Sequence, residues 1–126
     1  MLRRIYVTDP ADAHRADWGR CELPNERGFM RYWMGQLLPS LRALALDAQA
    51  LAPVRAPVLT VHGTCDRSAP YGGGREWAML LPDARLVTIE GGGHAPWIEA
   101  PEQVLGAIAT FLGGSWPQGS EEVRAL

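Results

Sequence analysis

Residues 53–112 alternate between short apolar runs and longer periodic ones, and that alternation limits the fold more than any other feature of the chain. The run PVLTVHG is β-branched and apolar and closes on a glycine, which predicts a strand over Pro57–His62 buried on both faces. A loop, GTCDRSAP, follows. Ser68 and Pro70 suit a helix start, and the pattern predicts a helix over Gly74–Leu81 that stops at Pro82 and Asp83. ARLVTIE then predicts a second strand over Arg85–Glu90. After the loop GGGHAPWIEA, Pro101 and Glu102 open a last helix through Leu112. It carries Val104, Leu105, Ile108, Phe111 and Leu112 on one face and ends at Gly113–Gly114. Strand, helix, strand, helix in that order means an α/β fold, with parallel strands joined by a right-handed crossover and helices flanking the sheet.

In such sheets functional groups gather where the strands end at their carboxyl side. Asp66 lies just past the first strand and His94 just past the second. An aspartate and a histidine on neighbouring loops can form the orienting half of a nucleophilic triad, because the carboxylate holds the imidazole tautomer and supports the imidazolium. Three glycines, Gly91–Gly93, precede His94. Glycine loses the most backbone freedom on folding, so such a run suggests a tight bend or a close approach. Each residue taken singly has a plainer reading. Asp66 is also a turn former, His94 a solvated loop residue, His62 a packing residue at a strand end, and Trp97 either a pocket wall or packing.

Outside this unit the patterns are weaker. Residues 1–24 are mixed and charged. From Asn25, apolar residues including Phe29, Met30, Trp33, Met34, Leu37 and Leu41 recur at helical steps. Pro39 predicts a break or kink near Leu38, and Ser40 is placed to cap a second helix through about Gln49, with Leu41, Leu44 and Leu51 toward a core. The polar, Gly- and Pro-bearing SWPQGSEEVRAL is expected to be loose. The chain therefore divides into a helical segment (1–52), the α/β unit (53–113) and a tail (114–126).

Net charge is −2 and the twelve basic residues, all arginine, form no cluster, which argues against a nucleic-acid surface. Two cysteines, Cys21 and Cys65, are too few for a disulfide scaffold and match no zinc spacing, so they read as reduced thiols. No signal-peptide core and no apolar run near the ~20 residues of a membrane span is present. The expected setting is cytoplasmic, away from membranes.

The stretches VHGTCDRSAP and LPDARLVTIEGGGHAPWIEAPEQVLGAIATFL resemble the C-terminal end of the α/β-hydrolase fold. That family runs strand, His-Gly, two variable residues and the acidic triad member, then strand, Gly-His and a helix opening near Pro-Glu. Asp66 matches the acid and His94 the histidine, 28 positions apart (94 minus 66). Residues 25–52 resemble, less specifically, the end of the family's helical cap. The resemblance implies ester or amide hydrolysis through a Ser-His-Asp triad, with no cofactor and no metal. Within the family the chain leans toward proline-iminopeptidase-like or esterase-like members.

The family's nucleophile sits on a sharp turn, Gly-x-Ser-x-Gly, ahead of the acid and the histidine. None of Ser40, Ser68, Ser115 and Ser120 stands in such a motif. Cys65 adjoins the acid and is not on an elbow. The resemblance therefore implies the C-terminal part of a hydrolase, incomplete alone, as a truncated product, a split gene or one half of a two-chain enzyme. Two parallel strands leave an unpaired apolar edge, which invites a complementing N-terminal segment or self-association. Three alternatives stand beside it: a non-catalytic remnant or interaction module; a dehalogenase or epoxide hydrolase, which use an aspartate nucleophile; and, more remotely, a nucleotide-binding domain. For the last, YGGGREW follows a loop and EGGGH lacks the remaining glycine spacing.

Overall fold

The computed structural model describes residues 6–16, 25–44 and 46–124. Two parallel strands form its centre. β1 (Val58–Gly63) pairs with β2 (Ala84–Ile89) in a register running from Val58↔Ala84 to Gly63↔Ile89. Both lie within a residue of their expected positions. The period of two along each strand sorts the side chains onto opposite faces. Leu59, Val61, Val87 and Ile89 pack with Val104 and Ala107 of the C-terminal helix. Val58, Ala84 and Leu86 pack with Ala78 of the crossover helix. The fold is thus helix on sheet on helix.

The described residues hold six α-helices, of which the crossover helix and the C-terminal helix pack on the sheet. α1 (Glu26–Tyr32) runs through a single π-helical turn, Trp33–Leu37, into α2 (Leu38–Ala43). α3 (Ala48–Leu51) is capped by the Asp47 carboxylate, which accepts from Ala50 N–H at 2.8 Å. α4 (Tyr71–Leu80) is the crossover, α5 (Pro96–Glu99) a single turn after β2, and α6 (Pro101–Leu112) the C-terminal helix. A short 3-10 helix, Pro10–His14, lies near the N-terminus.

Three expectations are corrected. Pro39 does not break the helix. The wider π turn just before it, with Leu38 N–H bonded back to Trp33 O, relieves the clash that a proline ring makes with the preceding turn. Ser40 consequently caps nothing, and its hydroxyl donates to Leu37 O at 2.8 Å. The apolar stripe of this arm does not reach a core. Phe29, Met30, Met34, Leu41 and Leu44 are all exposed, because the described residues offer no second surface opposite them.

The third correction concerns the tail. Residues 114–124 are packed against the sheet. Glu121 and Leu86 exchange both backbone hydrogen bonds at 2.9 Å in an antiparallel bridge. Trp116 stacks near Phe111 and under the Arg85 guanidinium, and Val123 joins the apolar cluster around Leu86. The tail therefore covers the outer edge of β2, and Leu86 is fully buried. Removing residues 114–126 should cost about 2–4 kcal/mol, from two bridge hydrogen bonds and the re-exposed apolar surface. Denaturant titration of the shortened chain checks this. β1 has no such cover: among the described residues no strand pairs with its outer edge, and most of its side chains stay half-buried.

Candidate active site

The loops after β1 and β2 meet because neither carries bulk at the contact. A β-carbon on Gly63 would stand 2.2 Å from the Gly92 carbonyl oxygen. Backbone bonds stitch the seam: Thr64 N–H to Ile89 O at 3.0 Å and Cys65 N–H to Gly92 O at 2.9 Å. Gly91 takes φ 71°, the left-handed region, and turns the chain sharply off β2. His94 is thereby carried back over the loop that holds Asp66.

The two expected site residues are in contact. His94 Nδ1 lies 2.9 Å from Asp66 Oδ2. Asp66 also closes its own turn, since its Oδ1 accepts from Ser68 N–H at 2.7 Å and Ala69 N–H at 2.8 Å. The turn-former reading is therefore realised through one oxygen of this carboxylate, and the other oxygen meets His94. The Asp66 side chain is 3% exposed and that of His94 33%. A groove of about 300 Å³ borders them, its apolar wall built from Val61, Pro96, Trp97, Val104 and Ile108. With Nδ1 engaged, His94 Nε2 has no hydrogen-bond partner among the described residues, and the ring borders the groove.

Burial alone would push the Asp66 carboxyl up. The N–H bond from Ala69, the bond from His94, the N–H bond from Ser68 and attraction to His94 outweigh it, and the carboxyl is held below its ordinary value of 3.8. Asp66 thus remains an anion wherever the imidazole can act as a base. Folding keeps this carboxylate charged to lower pH than the unfolded chain does. Its contribution to stability is therefore complete above 3.8 and is lost as pH falls through the folded value. The urea midpoint of wild type should exceed that of Asp66→Asn above pH 3.8, and the margin should shrink as pH falls below 3.8. A margin independent of pH would contradict this account.

Two contributors went unrecognised in the sequence. His62, read as packing, places Nε2 3.1 Å from the same Asp66 Oδ2 and 3.0 Å from Ala69 O. The signal was its spacing, four residues ahead of the acid and next to Gly63. Glu99, on α5, accepts from Gly93 N–H at 2.6 Å through one oxygen and from Thr8 N–H through the other. Ala95 N–H donates to Tyr6 O at 2.8 Å, Thr8 Oγ1 donates to Gly91 O at 2.7 Å, and the Tyr6 ring lies 4.9 Å from that of His94. Residues 6–8 thus strap the histidine loop from outside. Only the isolated charge in PWIEAP hinted at Glu99. Cys65 is exposed and Cys21 lies outside the described residues. Among the described residues no cluster of His, Cys, Asp and Glu could hold a metal ion, and no helix is long and apolar enough to cross a membrane.

Residues 2–107 match the model of the alpha/beta hydrolase family. The chain belongs to that family. Among the relatives of this chain is the pimeloyl-(acyl-carrier protein) methyl ester esterase of Xanthomonas campestris pv. campestris strain B100, 39% identical over 64 residues. The match covers 51% of this chain and 25% of the esterase. The enzyme of the same description from Aromatoleum aromaticum is 43% identical over 65 residues, covering 52% of this chain and 26% of its own. A solved structure assigned as the non-heme bromoperoxidase BpoC of Mycobacterium tuberculosis H37Rv superposes with a TM-score of 0.50 at 34% identity. It covers 53% of this chain and 25% of that one. The chain spans about a quarter of the length of the curated relatives it matches. Its two parallel strands and flanking helices are part of an alpha/beta hydrolase fold.

Proposed function

We propose that Asp66 and His94 are the acid and base of a Ser-His-Asp site for ester hydrolysis, whose serine lies on sequence outside these 126 residues. The supporting observation is the 2.9 Å contact between His94 Nδ1 and Asp66 Oδ2, which leaves Nε2 as the basic atom beside the groove. In the proposed reaction the serine oxygen attacks the ester carbonyl carbon while its proton passes to His94 Nε2. The imidazolium returns that proton to the departing alkoxide, and water repeats the sequence on the acyl-enzyme. Asp66 stays ionised throughout and holds the Nδ1–H tautomer. The esterase names among the relatives favour an ester over an amide, and hence over a proline iminopeptidase.

The uncovered edge of β1 is where we place the completing segment, as an added parallel strand. Without it the chain is expected to self-associate through that edge. A second reading, a non-catalytic remnant, draws on one observation: no serine of the chain sits between glycines in an elbow motif. A dehalogenase or epoxide hydrolase would share the acid and the histidine and differ at the elbow.

One experiment separates the hydrolytic acid–base reading from the remnant. The matched 64-residue stretch of the Xanthomonas campestris esterase is replaced by the corresponding stretch of this chain, and methyl ester hydrolysis is followed. Turnover that depends on His94 supports the proposal. A folded but inactive graft favours the remnant. His94-dependent turnover by the ungrafted chain would mean that the nucleophile is within it, and would overturn the placement of the serine.

A further inference from the structure

Asp66 carries two imidazoles on one oxygen. His62 reaches Oδ2 from β1 at 3.1 Å, and His94 reaches it from the loop after β2 at 2.9 Å. The acyl-transfer scheme uses only the second. Yet the seat of His62 is packed on two further sides, its remaining surface bordering the groove. The edge of its ring meets Tyr71 at 5.8 Å and 79°, and the Tyr71 hydroxyl is itself tied to Thr88 Oγ1 at 2.6 Å. Over the ring lies Gly74 of α4, where a β-carbon would stand 2.3 Å from His62 Nδ1. Among the described residues the titratable side chains in contact with it are Asp66 from the loop after β1 and Tyr71 from α4, with His94 reached through Asp66.

The hydrogen bonds settle the protons. His62 Nε2 faces two acceptors, the Asp66 carboxylate and the Ala69 carbonyl at 3.0 Å, so Nε2 carries the hydrogen. His94 meets the carboxylate through Nδ1, so there Nδ1 carries it. The neutral rings are therefore opposite tautomers about one oxygen. Two donors on one oxygen weaken each other's bond.

We propose that His62 is a positioning residue that steadies the Asp66 carboxylate and tempers the basicity of His94. Without its N–H, Asp66 Oδ2 would have His94 as its one remaining donor among the described residues and would hold the His94 imidazolium more firmly. The inference rests on the Asp66–His94 pairing in the reading above, but its test follows protons and not turnover.

The test is imidazole ¹⁵N–¹H NMR on the full chain across the histidine titration range. The chain has three histidines, and exposed His14 serves as the internal reference. In wild type, His62 should carry its proton on Nε2 and His94 on Nδ1. In His62→Phe the His94 midpoint should rise by about half a unit to one unit, roughly three- to tenfold toward the protonated form at fixed pH. His62→Gln, which restores an N–H donor, should bring it most of the way back. A bare Nε2 on His62, or a His94 midpoint that stays put in folded His62→Phe, would overturn the proposal. If His62→Phe does not fold, the wild-type tautomers decide by themselves. An inactive esterase graft combined with the expected tautomers would remove the hydrolase reading and leave the role of His62 standing.

Discussion

Alanine in place of His94 is expected to lower ester turnover of the grafted esterase by roughly 10³–10⁴-fold, with little change in KM. The side chain is asked to take a proton only as the serine attacks, so the loss falls on the transition state and not on substrate binding. Asp66→Asn should cost a comparable factor for a different reason. The Asp66 carboxylate receives four donors, Ser68 and Ala69 N–H on one oxygen and the two imidazoles on the other. An amide has one oxygen only, so its NH₂ must face one of these pairs of donors. Facing the histidines, it drives the His94 proton to Nε2 and removes the base. Facing the backbone, it opens the Asp66 turn. Steady-state kinetics beside a melting curve distinguish lost chemistry from lost folding. A His94→Ala graft that keeps a tenth of its activity would mean that the base is elsewhere.

Gly63→Ala is the second large effect, with an expected loss of roughly 3–5 kcal/mol of stability, at the upper end for single substitutions. The obstruction is backbone: the new methyl would stand 2.2 Å from Gly92 O and 2.4 Å from Gly92 C. No rotamer change can move those atoms, so either the strand end or the histidine loop must shift. The Cys65–Gly92 hydrogen bond and the His94–Asp66 contact lie across that seam. The change should therefore lower the urea midpoint and also displace the His94 Nδ1–H resonance. Gly72→Ala is the control. Nothing lies within 4 Å of its added carbon, and alanine favours a helix, so stability should rise by about 0.5–1 kcal/mol. Equal midpoints for Gly63→Ala and wild type would mean that the two loops are not in contact.

The α/β unit was legible in the sequence because its information is local. Strands of β-branched residues, a crossover too long for a hairpin and glycines and prolines at the joints all act within a few residues, and both strands fell within one residue of expectation. Asp66 and His94 were legible for the same reason, each standing just past a strand whose partner and direction were implied. α4 began three residues early: its glycine run looks like a loop in sequence, and only Gly74 of that run is required, by its close pass over His62.

What only tertiary structure decided involved partners far apart in the chain. The tail lies on β2 because a strand edge needs backbone hydrogen bonds, and polar composition could not reveal that Glu121 would supply them. Glu99 joins Gly93 to Thr8, which lies 91 positions ahead of it in the chain, and no pattern marks a carboxylate for a distant amide. Conversely, the periodicity of residues 29–44 was real and still failed to predict burial. An apolar stripe states what a helix could bury, and whether it does depends on a second surface that only the folded assembly supplies. His62 is the sharpest instance: its spacing allowed packing or partnership, and only the closure of two loops put both imidazoles on one oxygen.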